Sequence, residues 1–376
     1  MGELRGLPHE LTAGLDAAFA RTIEEPLDDD TFGALALAAF AWQFDNNRHY
    51  AAFCRRRSRT PGSVTHWRDI PAVPTAAFRE VELTCAAAGS ADAVFRTSGT
   101  TQDNKRGVHV VPDIRFYHRS LIPNFAAMVL PEGTTMTMFS LVPPPRDLPD
   151  SSLSHMIATA MERFGTRDSR WCASAADGID HETLDRALRD ARASGESVCI
   201  LGTSFSFVHW TDAMRERGMR HRLRDGSRLM DTGGFKGRSR EVGRDELRAT
   251  YLDLLGLPPT HCINEYGMTE LCSQFYDASL RDAIVRRTLG PDRKVVPPWV
   301  RTEVVHPETL DPVPDGTTGL LRHIDLANIG SVIAVQTEDI GVIVDGGFRV
   351  IGRTAGAHPR GCSIAMDDML EAVRNP

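Results

Sequence analysis

The 376-residue sequence predicts an α/β protein with mainly parallel sheets flanked by helices and a small β-rich C-terminal subdomain. Between residues 180 and 263, short apolar runs alternate with helical patterns, which is the order of a parallel sheet with crossover helices. After Pro297 the pattern changes to short runs rich in Val and Ile, including 331–336 and 341–344, broken by Asp-Gly turns at Asp315-Gly316 and Asp345-Gly346. We therefore predict an α/β core over 1–296, a β-rich subdomain over 297–365 and a short tail over 366–376.

The N-terminal part of the chain is predicted to be helical up to a proline-bearing link. Residues 31–54 carry spaced apolar side chains and no internal proline, which predicts one or two helices. A link between Pro61 and Pro74 then leads to a loop rich in Ser, Thr and Gly. Further along, Ser151 can accept a hydrogen bond from a backbone N–H and begin a helix, which Gly165 ends.

Three strands joined by helices are predicted in the middle of the chain. Apolar runs indicate strands at 198–201, 228–230 and 261–263, with helices over 180–195, after residue 204 and over 245–255. In an open parallel sheet, ligands bind beyond the carboxyl ends of the strands. Polar or glycine residues follow each strand, namely Gly202-Thr203-Ser204, Thr232-Gly233-Gly234 and Asn264-Glu265-Tyr266-Gly267. The sequence therefore predicts that three loops line one ligand crevice.

Composition and charge exclude several classes of partner. A formal net charge of −7 and a pI near 6.0 argue against nucleic acid as the main partner. No apolar run approaches the ~18 residues that a membrane-spanning helix requires, and the N-terminus has no secretory pattern, so we expect a cytoplasmic protein without a membrane span. The seven cysteines include no Cys-x-x-Cys pair, which favours neither disulfides nor a zinc site.

A loop able to bind phosphate follows the apolar run at 93–95. Thr97-Ser98-Gly99-Thr100-Thr101 supplies hydroxyl donors and a flexible backbone, and Lys105 supplies positive charge. A solvated turn is the alternative for such a pentapeptide. Lysine is rare in this chain, with only Lys105, Lys236 and Lys294 among 43 basic residues, so a lysine in this loop favours the phosphate interpretation.

A second motif begins at the end of the third predicted strand. Asn264-Glu265-Tyr266-Gly267-Met268-Thr269-Glu270 offers an amide, a phenol, a hydroxyl and carboxylates, a set able to bind adenine, phosphate and Mg²⁺ together. With the loop at Thr97, it resembles the motifs of the adenylate-forming superfamily of acyl-CoA synthetases, nonribosomal adenylation domains and luciferases. Gln336-Thr337-Glu338-Asp339 and Gly352-Arg353 follow in the order of that superfamily's later motifs.

The resemblance implies the adenylate-forming fold, with ATP and Mg²⁺ as cofactors. In that superfamily the Ser/Thr/Gly loop binds the ATP phosphates, the Tyr-Gly-x-Thr-Glu segment positions AMP and metal, and an aspartate binds the ribose. The nucleotide-binding residues implied are Thr97, Ser98, Gly99, Thr100, Thr101, Gly233, Gly234, Asn264, Tyr266, Gly267, Met268, Thr269 and Asp339. Lys105, Glu270 and Arg353 are implied as catalytic, and Glu270 also as the metal ligand.

The resemblance narrows to the acyl-protein synthetases, the fatty-acid-activating branch associated with bacterial fatty acid reductases. The segments that carry it are Glu265-Tyr266-Gly267-Met268-Thr269-Glu270-Leu271, Ser273-Gln274-Phe275-Tyr276, the glycine-rich run that starts at Thr232, and Arg360-Gly361-Cys362-Ser363. In that branch a cysteine near the C-terminus accepts the acyl group, and Cys362 matches its position. We expect Cys362 to be exposed, with the nearby guanidinium of Arg360 favouring the thiolate.

Substrate contacts are expected from the end of the first central strand, at Gly202, Thr203, Ser204 and His209. His209 could be a general base, although a single histidine near a helix start is more often structural. Three aromatic residues lie in the same stretch and either line an acyl tunnel or pack the following helix, with helical spacing favouring packing; they are Phe205, Phe207 and Trp210.

The resemblance predicts ATP-dependent activation of a carboxylic acid, most simply a fatty acid, to acyl-AMP with release of pyrophosphate. The acyl group then passes to Cys362 or to a partner such as a fatty acid reductase or carrier protein. Few residues follow Arg353 and no lysine follows Lys294, so we expect the superfamily's usual C-terminal lid domain to be absent. Two alternatives stay open: a stand-alone ligase that passes the acyl group to CoA, a carrier protein or an amine, and a degenerate nucleotide-binding or scaffold protein.

Overall fold

The computed structural model describes residues 4, 6–87, 89–98, 105–233, 242–354 and 359–374. Its helices are α1 (His9–Phe19), α2 (Asp29–Asn46), α3 (Arg48–Arg56), α4 (Ala77–Glu80), α5 (Ile114–Val129), α6 (Ser152–Phe164), α7 (His181–Ser194), α8 (Ser204–Glu216), α9 (Arg244–Leu255), α10 (Ser279–Arg281) and α11 (Arg360–Arg374). Its strands are β1 (Val73–Pro74), β2 (Ala93–Arg96), β3 (Val108–Val111), β4 (Thr137–Ser140), β5 (Arg170–Trp171), β6 (Ala173–Ser174), β7 (Gly178–Ile179), β8 (Val198–Thr203), β9 (Arg228–Thr232), β10 (Cys262–Tyr266), β11 (Phe275–Tyr276), β12 (Val300–Val305), β13 (Gly319–Asp325), β14 (Ala334–Val344) and β15 (Gly347–Arg353).

The chain forms two compact units that are not continuous in sequence. The first comprises Met1–Asn124, Met268–Phe275 and Arg293–Pro376, and the second comprises Phe125–Gly267 and Tyr276–Asp292. This division groups the N-terminal segment with the C-terminal one, whereas the predicted division at residue 297 follows the sequence. The division of the chain into a core over 1–296 and a β-rich subdomain over 297–365 stays a prediction.

The second unit is built on a parallel sheet, as predicted. Its strand order is β11-β10-β9-β8-β4-β5, and the successive pairs from β10 to β5 are all parallel. β4 and β9 are buried throughout, and β8 is buried except at Thr203, as is typical of a parallel sheet covered by helices. Side chains of α7, α8 and α9 pack with those of β8 and β9 in one hydrophobic cluster, which includes Phe207, Trp210 and Tyr251.

The central strands are longer than predicted. β8 extends through Gly202 to Thr203, β9 through Thr232, and β10 through Tyr266. Several of the residues predicted as loops are therefore the last residues of the strands, whereas Ser204, Gly233 and Gly267 follow the strand ends. The sequence pattern did not predict these strand ends, because the backbone hydrogen bonds of a parallel ladder continue past the last apolar side chain.

The helix ends follow the predicted signals. Ser151 accepts a hydrogen bond from the backbone N–H of Ser154 and caps α6. Asp180 caps α7 in the same way through Thr183, and Gly195 ends that helix in the left-handed conformation at φ 77°. A glycine suits this position because a side chain would be strained there.

The first unit contains a sheet in the order β1-β14-β13-β12, with β15 paired to β14. Two separate short runs were predicted over 331–336 and 341–344, and this was wrong, because β14 is one strand of 11 residues. It pairs with β13 on one side and β15 on the other, so its polar middle is held by the two ladders. The predicted turn at Asp345-Gly346 joins β14 to β15, with φ values of 46° and 71°.

The C-terminal segment of the first unit is helical. Residues 366–374 of the predicted tail lie within α11. This helix packs on α3, and Arg56 of α3 donates to Asp368 of α11 at 3.2 Å. No helix in the described ranges is long and apolar enough to cross a membrane.

Candidate functional site

The predicted phosphate loop lies between two paired strands of the first unit. β2 and β3 form an antiparallel hairpin in which Arg96 is opposite Val108. Beyond that pair, the backbone N–H of Thr97 donates to the Gly107 carbonyl at 3.0 Å, and the N–H of Gly107 donates to Thr97 Oγ1 at 2.8 Å. Thr97 therefore closes the neck of the loop and Ser98 follows it, exposed, while Gly99, Thr100 and Thr101 lie outside the described residues.

Lys105 lies on the returning side of this loop. Its Nζ is 2.6 Å from Glu80 Oε2, at the end of the short helix α4, and its side chain is 55% exposed. An exposed ion pair is weak, about 0–1 kcal/mol, so a phosphate group can compete for this ammonium. The structure thus places Lys105 at the hairpin with its side chain accessible.

The residues after Gly267 return to the first unit and are fixed by side chains from other elements. The carbonyl of Thr269 accepts a hydrogen bond from His109 of β3. The Glu270 carbonyl accepts one from Asn328 Nδ2 at 2.8 Å. Met268 begins this turn, since its carbonyl accepts from the N–H of Leu271 at 3.2 Å. Glu270 is buried, with 8% of its surface exposed.

The buried carboxylate of Asp325 binds the residues that follow this turn. It accepts hydrogen bonds from the backbone N–H of Ser273 at 2.9 Å and from its hydroxyl at 2.7 Å. Burial raises the pKa of Asp325 to about 6, although these hydrogen bonds act in the opposite direction. Cys272 is buried beside this turn, and burial raises the pKa of its thiol.

The first unit contains a small polar cavity of about 30 Å³. It is lined by two predicted residues, Glu270 and Arg353, and by Glu338, which precedes the predicted Asp339. Its lining consists of Thr75, Ala76, Arg79, Glu270, Glu338 and Arg353. Arg353 donates to Glu338 at 3.2 Å, and its Nε lies 3.8 Å from Asp339. Burial opposes the charge of Arg353, but the carboxylates of Asp339 and Glu338 outweigh it and raise the pKa of the guanidinium.

Strand pairing explains why these charged residues meet. Asp339 of β14 is directly opposite Arg353 of β15, so the hairpin that ends in Asp345-Gly346 sets their register. Thr75 and Arg79 reach the cavity from the segment of β1 and α4, because β1 pairs in parallel with β14. The predicted residues Glu270, Asp339 and Arg353 are thus brought together.

Sequence reasoning missed Arg79, Thr75 and Glu338 as lining residues. Glu338 could have been found, since it precedes the predicted Asp339. Arg79 belongs to no recognisable motif, and only the pairing of β1 with β14 brings its segment to the cavity. Within the part of the chain that the structure describes, the Arg79 side chain makes no hydrogen bond or ion pair, whereas Arg353 is paired.

The second unit holds a larger cavity, of about 170 Å³. Its lining includes one residue from each of the three predicted strand ends, which are Ser204, Gly233 and Asn264. Asn264 Nδ2 donates to Asp231 Oδ1 at 2.8 Å, and Ser204 Oγ donates to the Gly233 carbonyl at 2.9 Å. Gly233 has a φ of 74°, which suits only glycine, and Gly234 lies outside the described residues.

The neighbouring residues of β10 are held by a buried hydrogen bond. Thr232 donates to the carboxylate of Glu265. That carboxylate folds over Gly267, where an added Cβ would collide with it. The absence of a Cβ at Gly267 leaves room for this carboxylate, and the half-buried Tyr266 is the last residue of the strand.

Two of the four predicted substrate residues, Gly202 and Thr203, have structural roles. Gly202 is closely packed, because a Cβ there would be 2.7 Å from Ser206 Oγ. Thr203 caps α8 through the N–H of Ser206 at 3.0 Å. His209 is exposed on α8, with its ring 5.8 Å from that of His181. The expectation that Phe207 and Trp210 pack the helix is confirmed, since both are fully buried, whereas Phe205 is 36% exposed.

The expectation that Cys362 is exposed and thiolate-like was wrong. It lies in the first turn of α11, only 3% exposed, in a cluster with Val305 and Leu320. Its Sγ lies 3.9 Å from the Thr337 carbonyl, one residue before Glu338. Burial raises the pKa of the thiol to about 11, and the negative charge of Glu338 adds to the effect. Sequence reasoning relied on polar neighbours and missed the helix that buries this face.

The chain is similar in sequence to two bacterial proteins of the same name. The chain is 22% identical over 353 residues to the long-chain-fatty-acid–luciferin-component ligase of Aliivibrio fischeri, covering 90% of this chain and 88% of the relative. Identity to the Vibrio harveyi protein of the same name is also 22%, over 351 residues, with the same coverage.

Solved structures of 2-hydroxyisobutyryl-CoA ligase show the same fold. An open conformation with its acyl-AMP and CoA gives a TM-score of 0.62 at 13% identity, covering 88% of this chain and 76% of that one. A postadenylation state gives 0.64 at 13% identity, covering 88% and 69%. The predicted adenylate-forming fold is therefore confirmed. Because residues 18–371 match the family model "Acyl-protein synthetase, LuxE", the chain belongs to the acyl-protein synthetase family.

Proposed function

We propose that this protein uses ATP to activate a fatty acid as acyl-AMP and then transfers the acyl group to a thiol, that of Cys362. Family membership supports this reaction class, and the names of the two bacterial relatives support a long-chain fatty acid as substrate. A further acceptor downstream of Cys362, such as a fatty acid reductase or a carrier protein, is part of the same proposal.

The cavity lined by Glu270, Glu338, Arg79 and Arg353 is the observation that carries the proposal. It combines carboxylates for a metal with guanidinium groups for a phosphate. The turn that holds Glu270 is fixed by hydrogen bonds to its backbone at both Thr269 and Glu270. Preorganised charges of this kind are the main source of catalysis in phosphoryl and nucleotidyl transfer.

In the first step, a carboxylate oxygen of the acid attacks the α-phosphorus of ATP. A new P–O bond forms, the bond from the α-phosphorus to the bridging oxygen breaks, and pyrophosphate leaves with that electron pair. Arg79 would meet charge on the phosphate oxygens, and Lys105 would follow the departing pyrophosphate. Asp339 would accept hydrogen bonds from the ribose hydroxyls.

A magnesium ion fits the donor set of this cavity. Mg²⁺ takes oxygen ligands and is usually held by one or two carboxylates together with substrate phosphates. Glu270 and Glu338 supply two carboxylates, and across the described ranges no group of three or more His, Cys, Asp or Glu side chains could hold a metal alone. The bound ion would neutralise phosphate charge.

In the second step, the sulfur of Cys362 attacks the acyl carbon of the adenylate. The thioester C–S bond forms, the bond from the acyl carbon to the phosphate oxygen breaks, AMP leaves, and the thiol proton passes to solvent. A thiol with a pKa of about 11 is a weak nucleophile at neutral pH, because little thiolate is present. The start of α11 must therefore release Cys362 from its apolar contacts before transfer.

Intact-protein mass spectrometry tests this proposal. We expect incubation with ATP, Mg²⁺ and a long-chain acid to add one acyl group that hydroxylamine removes. Cys362→Ser should not acquire the hydroxylamine-labile adduct, while Cys85→Ser, a half-buried cysteine, should acquire it like the wild type. An adduct that persists in Cys362→Ser would contradict the assignment of the acceptor.

The second candidate is a stand-alone ligase that passes the acyl group to CoA, a carrier protein or an amine. The burial of Cys362 favours it, because an inaccessible thiol need not take part in the reaction. Acid-dependent ATP–pyrophosphate exchange without any protein adduct, followed by acyl-CoA formation on adding CoA, would select this candidate.

A further inference from the structure

His109 belongs to none of the motifs that indicated the site. It lies in β3, opposite Phe95 of β2, two residues after Gly107 closes the phosphate loop. The side chain is buried, with 2% of its surface exposed. Its ring packs edge-on against Phe78 of the segment that also carries Arg79, with ring centroids 5.7 Å apart.

The hydrogen bond that His109 makes defines its tautomer. Nδ1 is 2.7 Å from the Thr269 carbonyl oxygen. A carbonyl can only accept, so Nδ1 carries the proton. Burial lowers the pKa of His109 to about 4, although the bond to Thr269 acts in the opposite direction. The imidazole is therefore neutral at physiological pH and is a permanent donor.

This hydrogen bond joins the strand that follows the phosphate loop to the turn that holds Glu270. On one side, β3 continues directly from the loop that holds Thr97 and Lys105. On the other, Thr269 is the residue before Glu270, whose own carbonyl is held by Asn328. We propose that His109 is a positioning residue that fixes the Glu270 carboxylate relative to the phosphate loop. The inference rests on the proposed function, because it assigns the position of the carboxylate that the reaction uses.

Two substitutions separate the hydrogen bond from the packing. His109→Asn places an amide donor near the position of Nδ1 but loses much of the ring. His109→Phe keeps an aromatic ring against Phe78 but removes the donor to the carbonyl of the half-buried Thr269. A merely structural histidine would be replaced better by Phe than by Asn, since Phe preserves more buried apolar surface.

We expect His109→Phe to lower the kcat of ATP–pyrophosphate exchange by roughly 10- to 100-fold, because a misplaced catalytic group costs up to about that factor. His109→Asn should stay within about threefold of the wild type, and the KM for the acid should change in neither. A similar loss of kcat in both variants, or a loss in His109→Asn alone, would overturn the proposal. Full activity of a folded His109→Phe would also overturn it.

Hydrogen exchange measured by mass spectrometry tests the same anchor without activity. We expect peptides that cover 268–275 to exchange faster in His109→Phe than in the wild type, with His109→Asn close to the wild type. Unchanged protection in His109→Phe contradicts the anchoring role. If the wild-type protein shows this protection from hydrogen exchange but catalyses no ATP–pyrophosphate exchange with any acid, the proposed function is contradicted instead.

Discussion

Cys362 combines a proposed nucleophilic role with a buried position. Its contacts with Val305, Leu320 and the Thr337 carbonyl hold the thiol in an apolar cluster. The same contacts place it beside the strand that carries Glu338 and Asp339. A thiol kept protonated until an adenylate is present would be protected from oxidation and from premature acylation.

This position predicts slow reaction of Cys362 with a maleimide in the free protein. We expect the labelling rate to rise at least about tenfold when a non-hydrolysable acyl-adenylate analogue is bound, because thiol reactivity follows exposure and thiolate fraction. Peptide mapping by mass spectrometry gives the rate for each cysteine, with half-buried Cys85 as the internal reference. Rapid labelling of Cys362 without the analogue would contradict its buried state.

At the residue scale, the sequence identified three residues that the structure brings together, but it missed other residues that line the same cavity. Glu270, Asp339 and Arg353 could be predicted, because each lies in a short motif whose donor types suit a nucleotide and a metal. Arg79 and His109 could not, because the pairing of β1 with β14 brings Arg79 to the cavity and the contact of His109 is with Thr269, which is distant in the chain. The environment of Cys362 was also inaccessible from local sequence, because residues distant in the chain bury it.

At the scale of elements, close approach of α11 to the loop before β13 determines where Cys362 lies. The N–H of Gly361 donates to the Pro307 carbonyl at 3.0 Å. A Cβ at Gly361 would be 2.7 Å from Leu310 Cγ and 2.9 Å from that carbonyl oxygen. Glycine is therefore required at the start of this helix by packing.

Gly361→Ala is expected to lower the free energy of unfolding by about 1–3 kcal/mol, since overpacking forces neighbouring atoms apart. Gly62→Ala is the matched control, because a Cβ there meets nothing within 4 Å. Urea unfolding followed by fluorescence measures both. If Gly361→Ala and Gly62→Ala are equally stable, α11 is not held at this contact.

Helices and the parallel sheet were predictable because their signals are local. Caps at Ser151 and Asp180 and the apolar runs of β8 to β10 determine them directly. β14 was not predictable as one strand, because its polar middle looks like a break in the sequence. Its continuity depends on the ladders to β13 and β15, which are long-range contacts.

At the scale of the whole molecule, three buried ionisable groups of the first unit give stability a pH dependence. Burial lowers the pKa of His109 to about 4 and that of His323 to about 3, so both are neutral when folded and take up protons on unfolding below pH 6.5. Stability that both contribute above pH 6.5 is therefore lost as the pH falls. Asp325, with its pKa raised to about 6, acts in the opposite sense between about pH 6 and 4.

Because two groups outweigh one, we expect the free energy of unfolding to fall between pH 6.5 and 4. His323→Asn should make this dependence shallower by up to about 1.4 kcal/mol per pH unit, the contribution of one proton. Denaturant unfolding over this range measures the slope. Gly62→Ala is the control, because that substitution adds and removes no ionisable group. An unchanged slope in His323→Asn would show that this histidine is not held neutral.

The most direct test of acid activation is ATP–pyrophosphate exchange across fatty acids of increasing chain length. We predict acid-dependent exchange by the wild type, a loss of about 100-fold or more in Glu270→Gln and in Arg79→Gln, and no loss in Arg167→Gln, whose side chain is 94% exposed. Absence of exchange with every acid tested would contradict the proposed adenylation and would favour a protein that binds nucleotide without activating an acid.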